Sequence, residues 1–150
     1  MKFSISTVVE QPLEKVFEGF NKDLFIKLKP PGIGLEILRF EGCQTNDIVE
    51  LELDFIFFKQ YWKSTIIEDS HNNQEIYFID SSTSSELPFF LKNWKHKHRI
   101  IKHKNGSKII DEIDFKAPYG LDILIFPMIW AQMAWRKPIY RKCFRNTVKK

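Results

Sequence analysis

The sequence predicts a single α+β domain over residues 1–150: a curved antiparallel sheet closed by a long C-terminal helix. Three observations predict it. Residues 2–10 alternate in polarity and are followed by two short amphipathic segments. Six further strand patterns then succeed one another with only short turns between them. The last thirty residues change to an apolar helical pattern.

The elements follow in order. Phe3, Ile5, Thr7 and Val9 share one face of the first strand and Lys2, Ser4, Ser6 and Glu10 the other, so one side is buried. Pro12 suits the first turn of a helix, and Leu13, Val16, Phe17 and Phe20 follow at helical spacing. Leu24, Phe25 and Leu28 mark a second short helix, ended by Pro30-Pro31-Gly32. Strands are predicted at 35–41 and 48–57, the latter with Val49, Leu51, Leu53, Phe55 and Phe57 inward. Two more, at 60–68 and 74–82, flank the turn-forming His71-Asn72-Asn73. The last pair, 94–103 and 108–117, is joined across Asn105-Gly106, a strong hairpin signal. Residues 121–148 read as helix, with Pro127 and Pro138 marking breaks or kinks. Six strands with short connections form a meander, and the apolar helix is the large element left to cover its inner face.

Placing Asn105 and Gly106 at the centre of the turn sets Lys97 opposite Asp114 and Arg99 opposite Glu112, both pairs outward. The inner face then carries Trp94, His96, His98 and Ile100 against Phe115, Ile113 and Asp111, with Asp111 diagonal to His98. An inward Asp among Ile and Phe is costly unless paired, and a His partner would satisfy it. Three readings stay open: a structural buried His–Asp pair, the polar anchors of an apolar ligand pocket, or acid–base chemistry by His96 or His98 oriented by Asp111. His-x-His on a strand supplies two metal ligands, but spacing fixes no third, so no metal is expected.

The same residues carry a resemblance. Pro88-Phe89-Phe90-Leu91-Lys92-Asn93-Trp94-Lys95-His96-Lys97-His98 resembles the P-F-x-x-W-x-H-x-H signature of ligand-binding proteins in the SRPBCC (START-like, helix-grip) superfamily, with a longer spacing before Trp94. The superfamily includes polyketide cyclases, lipid-transfer domains and birch-pollen-type allergens. Ile110-Asp111-Glu112-Ile113-Asp114-Phe115 with Pro118-Tyr119-Gly120 is similar to its second hairpin strand and exit turn, and Val8 to Phe17 to its strand-to-helix entry. The glycine-rich loop of the plant allergen branch is replaced by Glu41-Gly42-Cys43-Gln44-Thr45-Asn46-Asp47. The resemblance implies the helix-grip fold: a seven-stranded antiparallel sheet wrapped around a long C-terminal helix, two short helices after strand 1, and a cavity between. It implies ligand binding without naming a reaction.

The expected function is therefore binding of a hydrophobic small molecule between sheet and helix. The expected wall comprises Phe55, Trp94, His96, His98, Asp111, Phe115, Trp130, Met133 and Arg136. The alternatives are a cyclase- or dehydratase-type enzyme using His96, His98 and Asp111, and a peripheral membrane-surface protein. The last rests on a basic run of seven residues from Arg136 to Lys150. The first 135 residues carry 16 basic and 19 acidic groups, so the excess charge belongs to the tail, unlike the basic fold face of a nucleic-acid binder. No nucleotide-binding loop, nucleophile elbow or zinc motif is present, so no cofactor is expected. The opening residues lack the continuous apolar run of an export signal, and Cys43 and Cys143 read as free thiols, which sets a cytoplasmic expectation.

Overall fold

In the computed structural model, which describes residues 1–146, the strand patterns become one seven-stranded antiparallel sheet in the order β1-β7-β6-β5-β4-β3-β2. The strands are β1 (Lys2–Val9), β2 (Gly34–Phe40), β3 (Ile48–Asp54), β4 (Lys59–His71), β5 (Glu75–Thr83), β6 (Asn93–His103) and β7 (Gly106–Lys116). Two short helices, α1 (Leu13–Glu18) and α2 (Lys22–Lys27), follow β1, and α3 (Asp122–Cys143) ends the fold. β2 to β7 form the meander, and β1 returns to pair with β7. Asn21 caps α2, its side chain accepting from the Leu24 amide. Register shifts at Ile37/Arg39 and Ile66/Glu68 leave Leu38 and Ile67 unpaired and exposed, and such bulges bend a sheet.

The β6–β7 register differs from the one expected. His103 pairs with Gly106, so Lys104 and Asn105 are the two turn residues. Lys97 therefore faces Glu112, Lys95 faces Asp114 and Arg99 faces Ile110. The predicted Lys97–Asp114 pair does not form, and Asp114 meets Lys2 instead. Arg99 still reaches Glu112 diagonally, at 2.7 Å. The reason lies in how Gly106 is used. Neither Asn105 nor Gly106 has a positive φ, but a Cβ on Gly106 would sit 2.1 Å from the Val9 carbonyl oxygen. The glycine admits the β1 backbone rather than a left-handed turn. Because the slip is two residues, every side chain keeps its face.

Two other boundaries move. β3 ends at Asp54, whose carboxylate accepts from the Ile56 amide. A tight turn over Phe55–Phe58 follows, with Ile56 at φ 76° and Phe57 93% exposed rather than inward. α3 runs unbroken through Pro127 and Pro138, then stops at Cys143 instead of 148. Thr147 to Lys150, the end of the expected basic tail, lie outside the described residues.

One face of α3 packs on the sheet through Ile129, Met133, Arg136 and Tyr140, while Ile123, Leu124, Met128, Trp130 and Trp135 remain exposed. Among the described residues no helix is long and apolar enough to cross a membrane. The antiparallel order puts the Phe55–Phe58 turn, Phe89, Tyr119 and Ile123 at one end of the molecule. Residues 144–146 sit at the other end, where the Phe144 carbonyl accepts from the Glu10 amide. Arg145, the described basic residue after α3, is thus at the end away from the apolar loops.

The interior holds two apolar clusters. One gathers Val16, Phe20, Phe78, Ile100, Ile109 and Tyr140. The other gathers Leu91, Trp94, Ile113, Phe115, Ile129 and Met133. Between them, β6 contributes His96 and His98, β7 contributes Asp111, and α3 contributes Arg136. A polar band therefore crosses the interior, bridging sheet and helix.

Candidate functional site

Strand alternation builds the band. Trp94, His96, His98 and Ile100 point inward from β6, and all four are buried. On β5 the inward positions are Ile76, Phe78, Asp80 and Ser82, so Asp80 lies beside His96 across the ladder. On β7, Asp111 lies directly opposite His98.

The hydrogen bonds run diagonally. His96 Nε2–H donates to Asp111 Oδ1 at 2.8 Å, and His98 Nε2–H donates to Asp80 Oδ2 at 2.8 Å. The two imidazole centroids are 3.6 Å apart with the rings tilted by 32°, and His98 stacks on Phe78. Asp80 Oδ1 also accepts from Trp94 Nε1 at 3.1 Å and Ser64 Oγ at 3.3 Å. Burial alone would raise Asp111, but the His96 hydrogen bond and the charge of nearby Arg136 outweigh it and hold the carboxyl down at about 2. Asp80 is held down in the same way, with burial opposing and the His98 bond winning. Burial, reinforced by His98, pushes His96 down to about 4, so it stays neutral with Nδ1 bare.

These groups form part of the wall of a cavity of about 410 Å³ between the sheet and α3. Most of that wall is apolar, including Leu51, Leu53, Phe55, Ile66, Phe78 and Met133. Its polar members on the sheet and α3 are Ser64, Asp80, His96, His98, Gln132 and Arg136. Exposed Lys29, Pro31 and Met128 also border it, so it reaches the surface.

Of the residues singled out in the sequence, Phe55, Trp94, His96, His98, Met133 and Arg136 lie on the cavity wall. Asp111 stands behind His96 rather than on the wall, and Phe115 packs in the core. Trp130 is a correction: it is 48% exposed and outside the cavity. Ile129 and Met133 take the inward positions, and the next residue along a helix turns about 100° away.

Asp80 is the site residue that sequence reasoning missed. Its signal was present, since it shares the inward parity of Ile76 and Phe78 on a clear strand. It also supplies the third donor group that spacing along the chain does not fix. Asp80, His96 and His98 place three donor atoms within 4.8 Å of one another, a nitrogen-and-carboxylate set of the kind divalent transition ions use. Asp80 and His98 are already hydrogen-bonded to each other, and His96 is tied to Asp111.

The sequence matches no protein-family model and no curated protein. Solved structures do resemble it. Protein Ms6760 from Mycobacterium smegmatis superposes with a TM-score of 0.70 at 9% identity, covering 99% of this chain and 93% of that one. Ara h 8.0201 gives a TM-score of 0.63 at 17% identity over 97% and 99%. The di-domain ARO/CYC StfQ of the steffimycin biosynthetic pathway gives 0.66 at 11% over 95% of this chain, which spans 50% of StfQ. At these identities the likeness shows the fold alone: the helix-grip architecture.

Proposed function

We propose that this protein binds a hydrophobic small molecule in the cavity between the sheet and α3, with the polar band as its anchor. The carrying observation is the wall itself. It is an apolar surface of small-molecule size with a few convergent polar groups on one side, the usual composition of a ligand site. Trp94, His96 and His98 belong to that wall, which supports the reading. Native mass spectrometry of gently purified protein tests the reading by identifying a co-purifying molecule at one per chain. A chain that carries none and fails to take up apolar probes would refute it.

The enzyme reading draws on a narrower observation. Two His–Asp bonded pairs border the cavity, and the structurally similar StfQ is a di-domain ARO/CYC of the steffimycin biosynthetic pathway. His96, neutral with Nδ1 bare, has the form of a general base supported from behind by Asp111. Under this reading His96→Gln binds ligand normally and fails only in turnover. Under the binding reading His98→Gln weakens affinity, because the anchor itself is altered.

A further inference from the structure

Arg136 has unspent hydrogen-bonding capacity. It is 9% exposed and borders the cavity, yet its Nε and Nη1 are buried with no hydrogen-bond partner. Its nearest carboxylate oxygen, Asp111 Oδ1, is 3.9 Å from Nη1, outside hydrogen-bond range. That oxygen already accepts from His96, and Asp80 already accepts from His98, Trp94 and Ser64. Both acids thus accept from histidines, while the guanidinium, ion-paired with Asp111, still has its Nε and Nη1 hydrogen bonds unmade. A buried cation with unmade bonds is costly, and a guanidinium cannot shed its proton to escape that cost.

We propose that the ligand is an apolar molecule bearing a carboxylate and that Arg136 receives it; this rests on the ligand-binding reading above. The guanidinium fork matches a carboxylate in two parallel hydrogen bonds. Gln132, one turn earlier on α3, also borders the cavity, and its amide supplies a further donor. Lys29 places a second positive charge on the rim. An ammonium head would instead meet Arg136, with both acids already engaged.

The test is displacement of an apolar fluorescent probe at neutral pH by matched series: decanoate, decanol and decylamine, then 2-naphthoate and 2-naphthalenemethanol. The two series separate an alkyl from an aromatic body while sharing the head. The expected result is displacement by at least one carboxylate at a concentration about 10-fold or more below its alcohol, the scale of one charge-assisted hydrogen bond. Arg136→Gln should abolish that preference, so that each carboxylate displaces the probe no better than its alcohol. Arg136→Lys, which keeps charge but loses the fork, should retain part of it and serves if the Gln variant does not fold. Alcohols equal to carboxylates in the unmodified protein, carboxylates that displace nothing, or a preference that survives both substitutions would each overturn the assignment. Probe binding that persists in those cases leaves the cavity reading standing; a protein that takes no probe removes both.

Discussion

His98 stands directly across the β6–β7 ladder from Asp111, yet its 2.8 Å hydrogen bond goes to Asp80 on the opposite neighbouring strand. His96 does the reverse: it pairs across the ladder with Asp80 and bonds to Asp111. The crossed bonds tie β5, β6 and β7 together through their side chains beneath the cavity. Each carboxylate is held by a residue two positions away from its ladder partner, so the two adjacent imidazoles are braced from both sides.

Asp80→Asn should therefore be expensive. It removes the charge that accepts from His98, Trp94 and Ser64 in a site where Asp80's side chain is only 14% exposed. Losing a buried hydrogen bond to a charged acceptor costs about 2–3 kcal/mol, whereas an exposed ion pair contributes about 0.5 kcal/mol. Thermal melts should show a large drop for Asp80→Asn and almost none for Asp114→Asn, whose partner Lys2 is at the surface. Equal shifts would show that the band does not hold the sheet.

The β6–β7 turn offers a sharper contrast. Gly106→Ala places a Cβ against the Val9 carbonyl, so β1 must move; a loss above about 1 kcal/mol is expected in chemical denaturation. Asn105→Ala should be nearly neutral, because Asn105 holds an ordinary negative φ. A large Asn105 effect with a small Gly106 effect would instead support the turn centred on Asn105-Gly106.

That turn also shows how far the sequence could be read. Strand parity carried nearly the whole fold and put Trp94, His96, His98 and Asp111 on the inner face, since alternation depends only on odd and even positions. A two-residue slip preserves parity, so the face was legible although the register was not. The register depended on Gly106 meeting Val9, about a hundred residues away, which no local pattern encodes. Asp80 was legible by the same parity but lay in a strand without a histidine to draw attention to it. Trp130 shows the limit on a helix that is apolar all round: with no polar face, periodicity cannot tell the wall from the outside.

The cysteines should differ in reactivity. Burial, then the charges of Asp80 and Asp47, pushes the Cys43 thiol up to about 12, leaving almost no thiolate at pH 8. Cys143 is partly exposed at the end of α3. Iodoacetamide at pH 8 followed by peptide mass analysis should find Cys143 modified and Cys43 spared until the protein is unfolded. Rapid modification of Cys43 in the native state would mean that the cavity wall around it opens.

Acid should act through Asp111. Its carboxyl is held at about 2, below the unfolded value near 3.9, so its contribution is fully present above about pH 4 and is lost as pH falls through 2. The linked stability is on the order of 2 kcal/mol. Asp111→Asn should lower stability at neutral pH and flatten the decline between pH 4 and 2. An unchanged slope would assign the acid sensitivity to other carboxylates.

The last prediction separates the two faces of α3. Met133 is 1% exposed and on the cavity wall, whereas Trp130 is half exposed and outside it. Met133→Arg drives a charged head into apolar space beside Arg136, filling volume that a ligand would need and adding a like charge. It should abolish saturable binding of an apolar fluorescent probe. Met133→Leu, close in volume and shape, should bind within about 3-fold of the unmodified protein, since such swaps disturb a core little. Trp130→Glu changes only the solvent side and should leave both stoichiometry and affinity intact. Circular dichroism and a cooperative melt must accompany Met133→Arg, and if that variant is unfolded, Met133→Gln supplies the test with a smaller polar intrusion. Loss of probe binding in Trp130→Glu with retention in a folded Met133→Arg would move the site from the cavity to the exposed face of α3.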